Sequence, residues 1–257
     1  MSIIRRGIFL VALPLVLVVL WWLATRQDTS FYWPSPHRVW DAFVQTWTPA
    51  EIRQDVLPSV VRFVLGFLLA TVLGIGLGVA IGCYRGLREA IEPVLEFLRA
   101  VPPPVMIPVI ILFAGIGDGM KVLVIFFGCL WPVLLNTVEG VRAIDPVLRD
   151  SARSYGFGPY CRLRRLILPA ASPRILAGAR QSMSLGIILM VISEMFAASN
   201  GIGFTIIQFQ QTFAIPEMWG GIILLGLVGL VSAVLFHLAQ THILRWYHGF
   251  LRSQRKA

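Results

Sequence analysis

The chain has 257 residues, 57% of them hydrophobic and 14% charged, with a mean hydropathy of +0.77. A soluble globular domain averages roughly 45–50% apolar and about 25% charged residues, so that class is excluded. The net charge of +9 rests on 20 Arg and 2 Lys, which raises nucleic acid as a partner, but their placement along the chain assigns them to membrane topology, as counted below. Cys83, Cys129 and Cys161 form no Cys-x-x-Cys pair, so neither a disulfide framework nor a zinc site is indicated.

The apolar residues fall into blocks of 15 to 21, close to the about 17–25 that a helical span needs. Blocks of that length without alternation are helices, because lipid leaves backbone groups no partner outside the segment. The expectation is an all-α polytopic membrane protein, one domain over residues 1–257, with six transmembrane helices and both termini cytoplasmic.

The first block runs from Ile8 to Ala24 behind Arg5 and Arg6. It resembles a signal peptide in outline, but no small-x-small site follows Trp21-Trp22, and paired tryptophans suit an interfacial belt, so an uncleaved span is expected. The second, Phe63 to Cys83, carries Gly66, Ala70, Gly74, Gly78 and Gly82 at four-residue spacing, a small-residue stripe for close helix approach. The third, Val101 to Gly115, contains Pro102, Pro103, Pro104 and Pro108; its first half cannot be a regular lipid-facing helix and must be shielded or line a cavity. The fourth, Val122 to Val138, holds Asn136, and the fifth, Met183 to Ala198, holds Ser193 and Glu194. The sixth, Gly220 to Ala239, leads to Arg245, Trp246, Tyr247 and a basic tail.

With the N-terminus inside, residues 1–7, 84–100, 139–182 and 240–257 are cytoplasmic and carry 17 of the 22 basic residues. Only Arg26, Arg38, Arg53, Arg62 and Lys121 fall outside. That asymmetry orients the chain by the positive-inside rule and accounts for the charge without nucleic acid. In the longest outer segment, Ser35-Pro36 opens a short helix, His37 to Val44, with Val39, Trp40 and Phe43 as its apolar side at the membrane surface.

The cytoplasmic loop from Asp145 to Pro173 holds the densest local signals. Asp145 is placed to N-cap a helix starting at Pro146, and Gly156 stands where a left-handed C-terminal residue belongs. On that helix Val147, Leu148, Ser151, Ala152 and Tyr155 share a face that is small in the middle, with Arg149 and Arg153 elsewhere. Pro159 starts a second helix and Pro169 is expected to stop it. Two short helices around a glycine turn form a knob for a cytoplasmic protein to grip; the alternative is an ordinary basic connector.

The run Asp150-Ser151-Ala152, three residues, Gly156, nine residues, Leu166-Ile167-Leu168-Pro169 resembles the loop motif of ABC-importer permeases. Asp150, Ser151 and Leu166 replace the family's Glu, Ala and Ile, and the spacing is complete. Trp33-Pro34-Ser35-Pro36, Arg99-Ala100-Val101-Pro102, Phe113-Ala114-Gly115-Ile116-Gly117, and Ser193-Glu194 with Gly201-Ile202-Gly203 are similar to the nitrate, sulfonate and taurine branch. The resemblance covers roughly residues 33–245. It implies a homodimeric permease embedded in the lipid bilayer, two cytoplasmic ATPase subunits gripping the loop at Asp150, Ser151, Ala152, Gly156, Leu166, Leu168 and Pro169, and an external substrate-binding protein. It also implies a small oxyanion cargo such as nitrate, sulfonate, taurine or bicarbonate, although the same branch serves neutral or cationic vitamin precursors.

No P-loop is available here, since neither Lys121 nor Lys256 follows a glycine. No cofactor is expected on this chain, and ATP belongs to the partners. An ion-gradient carrier is the second reading; against it, Glu194 is the single acid well inside an expected span, and the halves show no repeat. An enzyme would need a catalytic or metal-ligand grouping, and none stands at useful spacing. Arg62 and Glu194, at similar expected depth, should pair, as a structural contact or as part of an outer gate. Asn136, Ser193 and the broken third block are candidates for the translocation path, with Asn136 equally able to serve as interhelical glue.

Overall fold

The computed structural model describes residues 3–26 and 30–247. Asp28, His248 and the basic tail with Arg252, Arg255 and Lys256 lie outside them. The described residues are helical with no strand. In order they form α1 (Ile3–Ala24), α2 (Pro36–Thr46), α3 (Pro49–Cys83), α4 (Arg85–Ala100), a 3₁₀ turn (Pro103–Met106), α5 (Ile107–Ala114) and α6 (Asp118–Arg142). Then follow α7 (Pro146–Ser154), α8 (Pro159–Phe196), α9 (Ile202–Gln211) and α10 (Ile215–Ile243).

Four of these, α3, α6, α8 and α10, are long and apolar enough to cross a membrane, and a fifth crossing is possible if α4 and the Pro103–Ala114 segment count together. That pair is bent by 88°, which corrects the third expected span. Residues 101–115 do not form one helix: Pro102 is extended, with φ −62° and ψ 125°, the conformation favoured for a residue that precedes a proline, here Pro103. What remains is the 3₁₀ turn and an eight-residue α5, about 12 Å long. The other helices outrun their expected apolar blocks, since intrahelical hydrogen bonding continues through polar residues at either end. α1 is 22 residues long, with Ala12–Ala24 as its described apolar stretch.

The Cα packing forms two units, residues 1–58 with 199–227 and residues 59–198 with 228–257. In the first, α2 buries Val39 and Ala42 while Trp40 is exposed, so the apolar side expected on Val39, Trp40 and Phe43 turns by about one residue. Trp47, Ile202, Ile206 and Ile215 are also buried there, and a Cβ on Gly221 would lie 2.7 Å from Ile206. The Asp55 carboxylate accepts from the Gly201 N–H at 2.9 Å, capping the approach to α9. The rings of Trp21 and Trp33 stand 6.1 and 5.5 Å from that of Trp219.

The second unit is organised around α6. The stripe of Gly66, Ala70, Gly74, Gly78 and Gly82 on α3 is wholly buried, and Cβ atoms on its glycines would sit 2.6–2.9 Å from Ile125, Val133, Thr137 and Val141 of α6. The expected packing role of the stripe is therefore what the structure contains. On its other side α6 meets α8 just as closely: a Cβ on Gly178 would lie 2.5 Å from the Pro132 carbonyl oxygen, and one on Gly186 2.8 Å from Cys129 Sγ. Helices this close exchange many weak dispersion contacts, the main attraction available where lipid removes the hydrophobic drive. α4 is an amphipathic helix whose Ile91 and Leu95 pack on Ile81, Leu134 and Val138.

Candidate functional site

The loop after α6 is built as its sequence demands at its first half. Asp145 Oδ1 accepts from the Val147 N–H at 2.8 Å, Pro146 occupies the first turn, and α7 runs nine residues. It ends in a complete double cap: the Phe157 N–H donates to the Ala152 carbonyl at 3.0 Å and the Gly156 N–H to Arg153 at 2.9 Å, with Gly156 at φ +69°. This cap needs the left-handed residue that glycine supplies without strain. Val147, Leu148 and Tyr155 are exposed, Tyr155 by 81%. Ala152 is not on that face; it is buried at 6% exposure, and the five-residue face expected from helical spacing loses its inward edge. Ser151 donates to the Val147 carbonyl of its own helix, and Asp150 lies 3.5 Å from Arg153.

The second half differs from expectation. Pro169 does not stop a helix; α8 passes straight through it for 38 residues. The reason is a π turn, Leu163–Ile167, in which the Leu168 N–H reaches back five residues to the Leu163 carbonyl. A proline removes one donor and crowds the preceding turn, and a widened turn accommodates both defects. The same device, in the same register, carries α3 through Pro58 by way of the π turn Ile52–Val56. Leu166 therefore lies within a π turn and Leu168 and Pro169 at the resumption of α-helix. The knob is a short capped helix seated beside the beginning of a long one.

Away from the loop, α3, α6 and α8 converge on a charge cluster. Arg62 Nη1 donates to Glu194 Oε1 at 2.8 Å, and the Ser59 hydroxyl donates to the same oxygen at 2.7 Å. Arg62 Nε and Nη2 reach Asp118 Oδ1 at 2.8 and 2.7 Å, and Lys121 Nζ is 3.5 Å from that atom. Glu194 is fully buried, and Arg62 and Lys121 are each 3% exposed. Two cations and two carboxylates balance, and Arg62, Lys121 and Glu194 are withdrawn from the surface while the Asp118 side chain stays 69% exposed. Arg62 and Glu194 are named by their depth in the sequence; Ser59, Asp118 and Lys121 are not, although the Asp118–Lys121 spacing of one helical turn was a usable signal.

Asn136 and Ser193 part company. Ser193 is buried and donates to Met190 of its own helix at 2.9 Å. Asn136 donates to the Pro132 carbonyl at 2.8 Å and lines a cavity of about 500 Å³ with Pro103, Pro104, Gln181 and Leu189. The broken third segment and Asn136 thus meet at one cavity, whereas Arg62, Ser193 and Glu194 do not line it.

A family model described as binding-protein-dependent transport system inner membrane component matches residues 70–249. The putative aliphatic sulfonates transport permease protein SsuC of Escherichia coli (strain K12) is 33% identical over 246 residues, covering 92% of each chain. The taurine transport system permease protein TauC of the same organism is 28% identical over 239 residues, covering 90% of this chain and 87% of its own. The fold is shared with an inward-facing structure of the MetNI methionine ABC transporter, with a TM-score of 0.61 at 20% identity over 76% of this chain and 94% of that one. The chain belongs to the family of binding-protein-dependent transport system inner membrane components. Within it, this is an ABC-importer permease of the nitrate, sulfonate and taurine type, a multi-pass protein of the inner membrane.

Proposed function

We propose that this permease works as a homodimer, driven by two cytoplasmic ATPase subunits that seat on α7 and supplied by an external substrate-binding protein. The observation that carries this reading is the exposed Val147, Leu148 and Tyr155 on a helix fixed at both ends by its caps. An isolated connector has no use for a rigid element with an apolar outer side. ATP binds the partner subunits, and this chain carries no cofactor. The cargo is a small oxyanion, with an aliphatic sulfonate or taurine favoured over nitrate and bicarbonate by the names of the relatives.

The cavity at Asn136, Pro103 and Pro104 forms part of the translocation path in this reading. The Arg62–Glu194 cluster is a structural clamp joining three helices, since the Arg62–Glu194 pair is buried and the cluster is internally neutral. Purifying the tagged chain from membranes with its co-expressed neighbours tests the assembly. Native mass spectrometry should find two permease copies and two Walker-motif ATPase subunits together. Gradient-driven uptake by the chain alone, with no ATPase retained, would reverse the assignment.

A further inference from the structure

Behind α7 lies a second cavity, distinct from the one lined by Asn136. It encloses about 360 Å³ between the C-terminal end of α3, α7 and the first turns of α8. Its apolar part includes Val79, Val141, Leu163 and Ile167; its polar part consists of Arg149, Arg153 and Arg162, with Tyr84 also lining it.

Three guanidinium groups at one cavity are an electrostatic problem, and among the described residues no Asp or Glu lines the space. Arg149 spends one donor on the Val141 carbonyl. Arg153 faces Asp150 at 3.5 Å, with both side chains about 70% exposed, so solvent weakens that pair. The Arg162 backbone N–H donates to the Gly158 carbonyl at 2.9 Å, but its part-buried side chain forms no hydrogen bond or ion pair with any described residue. α8 also begins at this cavity, at Pro159, and a helix N-terminus adds positive potential. Asp145 and Asp150 stand beside Arg149 and Arg153 in a neighbouring pocket, but within this cavity no carboxylate of the described residues balances the three cations.

The donors select the chemistry of a balancing anion. A guanidinium fork matches the oxygens of a phosphate, and three forks around one cavity exceed what a single carboxylate accepts. The apolar floor and the exposed Tyr84, directly after the last residue of an apolar span, put the cavity at the level of the lipid headgroups.

We propose that this cavity binds a phosphate anion, held by Arg149, Arg153 and Arg162, and supplied by an anionic phospholipid headgroup or by free phosphate. Because Arg149 and Arg153 stand on α7 and Arg162 on α8, the bound phosphate ties the knob to the base of the long helix. It braces the element on which the ATPase is proposed to act, yet its binding is measurable with neither ATPase nor cargo present.

The test uses the purified full-length chain in detergent. Native mass spectrometry compares binding of phosphatidylglycerol with that of phosphatidylcholine, and the unfolding temperature is followed with inorganic phosphate against chloride at equal ionic strength. Phosphatidylglycerol is expected to bind in preference. Arg162→Gln should weaken it about fivefold and Arg153→Gln with Arg162→Gln about 25-fold, while Arg85→Gln, outside the cavity, leaves it unchanged. Stabilisation and competition by inorganic phosphate, lost in Arg162→Gln, would identify free phosphate as the source; binding of phosphatidylglycerol alone identifies the lipid. Absence of any preference for either anion, or a preference that the double variant retains, overturns the proposal. Arg162→Lys, which keeps the charge and removes the fork, should restore part of the binding and serves as a second variant should Arg162→Gln fold poorly.

Discussion

The Arg62 guanidinium donates at 2.8 Å to a Glu194 carboxylate 132 residues further along the chain, and the structure withdraws both side chains almost completely from the surface. Removing either partner has an unequal effect. Arg62→Gln leaves a fully buried carboxylate without its guanidinium and should cost about 3–5 kcal/mol of stability. Glu194→Gln leaves Arg62 with Asp118 and should cost less. In a double-mutant cycle read by unfolding in mixed micelles, the double variant should lose less than the two single losses together; strictly additive losses would show that the contact carries no coupling.

Gly156 and Phe213 occupy the same left-handed position after a helix, at φ +69° and +57°. Both are closed by the same pair of backbone bonds, those at Phe213 running from Ala214 to Phe209 and from Phe213 to Gln210. Gly156→Val should therefore destabilise the loop by about 1–3 kcal/mol, and Phe213→Gly should relieve about 1 kcal/mol. Thermal unfolding of the two variants measures both, and equal signs would contradict the cap geometry.

Ala152 and Tyr155 separate fold from function on α7. Ala152→Phe places a large ring in a buried position and should displace the knob, with loss of both ATPase retention and coupled uptake. Tyr155→Ala removes an exposed ring, so the chain should keep its unfolding temperature while ATPase retention falls by about tenfold, as expected for an aromatic interface anchor. Retention equal to wild type in both variants would leave the loop as a connector.

The glycine stripe can be probed by two neighbouring residues of opposite environment. A Cβ on Gly78 would lie 2.6 Å from that of Thr137, whereas Gly76 has nothing within 4 Å. Gly78→Val should destabilise by about 1–3 kcal/mol or more through overpacking. Gly76→Ala should be neutral or stabilise by about 0.5–1 kcal/mol. Denaturation in mixed micelles decides, and a tolerated Gly78→Val would mean that α3 and α6 do not pack as described.

Asn136→Cys and Ser193→Cys, made in a background without other cysteines, report on the proposed path. Asn136 lines the 500 Å³ cavity and Ser193 is fully buried. An aqueous thiol reagent should modify position 136 in at least one state of the nucleotide cycle and leave 193 protected. Protection of 136 in every state would assign Asn136 to interhelical packing.

Much of this molecule is legible in its sequence because much of it is local. Apolar blocks identify the helices that lipid demands, and four-residue spacing identifies the face of α3 that meets α6. Asp145, Pro146 and Gly156 identify both ends of α7, since a cap is satisfied within three to six residues of itself. The resemblance to the permease family is carried by the same stretch, where Ala152, Gly156, Leu168 and Pro169 stand at the motif's spacing.

Other features depend on what lies across a helix interface. Pro169 reads as a stop, yet a π turn with a long hydrogen bond lets α8 continue, and Pro58 in α3 is passed in the same way. The prolines of the third block end one helix and bend the next by 88°, where composition suggests a crossing. Ala152 turns inward because the knob rests on the chain behind it, a contact no helical wheel contains. Ser59, Asp118 and Lys121 complete the Arg62–Glu194 cluster from two helices. Hydropathy and caps sum over neighbours in sequence, whereas charge neutralisation and close packing are decided by residues brought together only when α3, α6 and α8 meet.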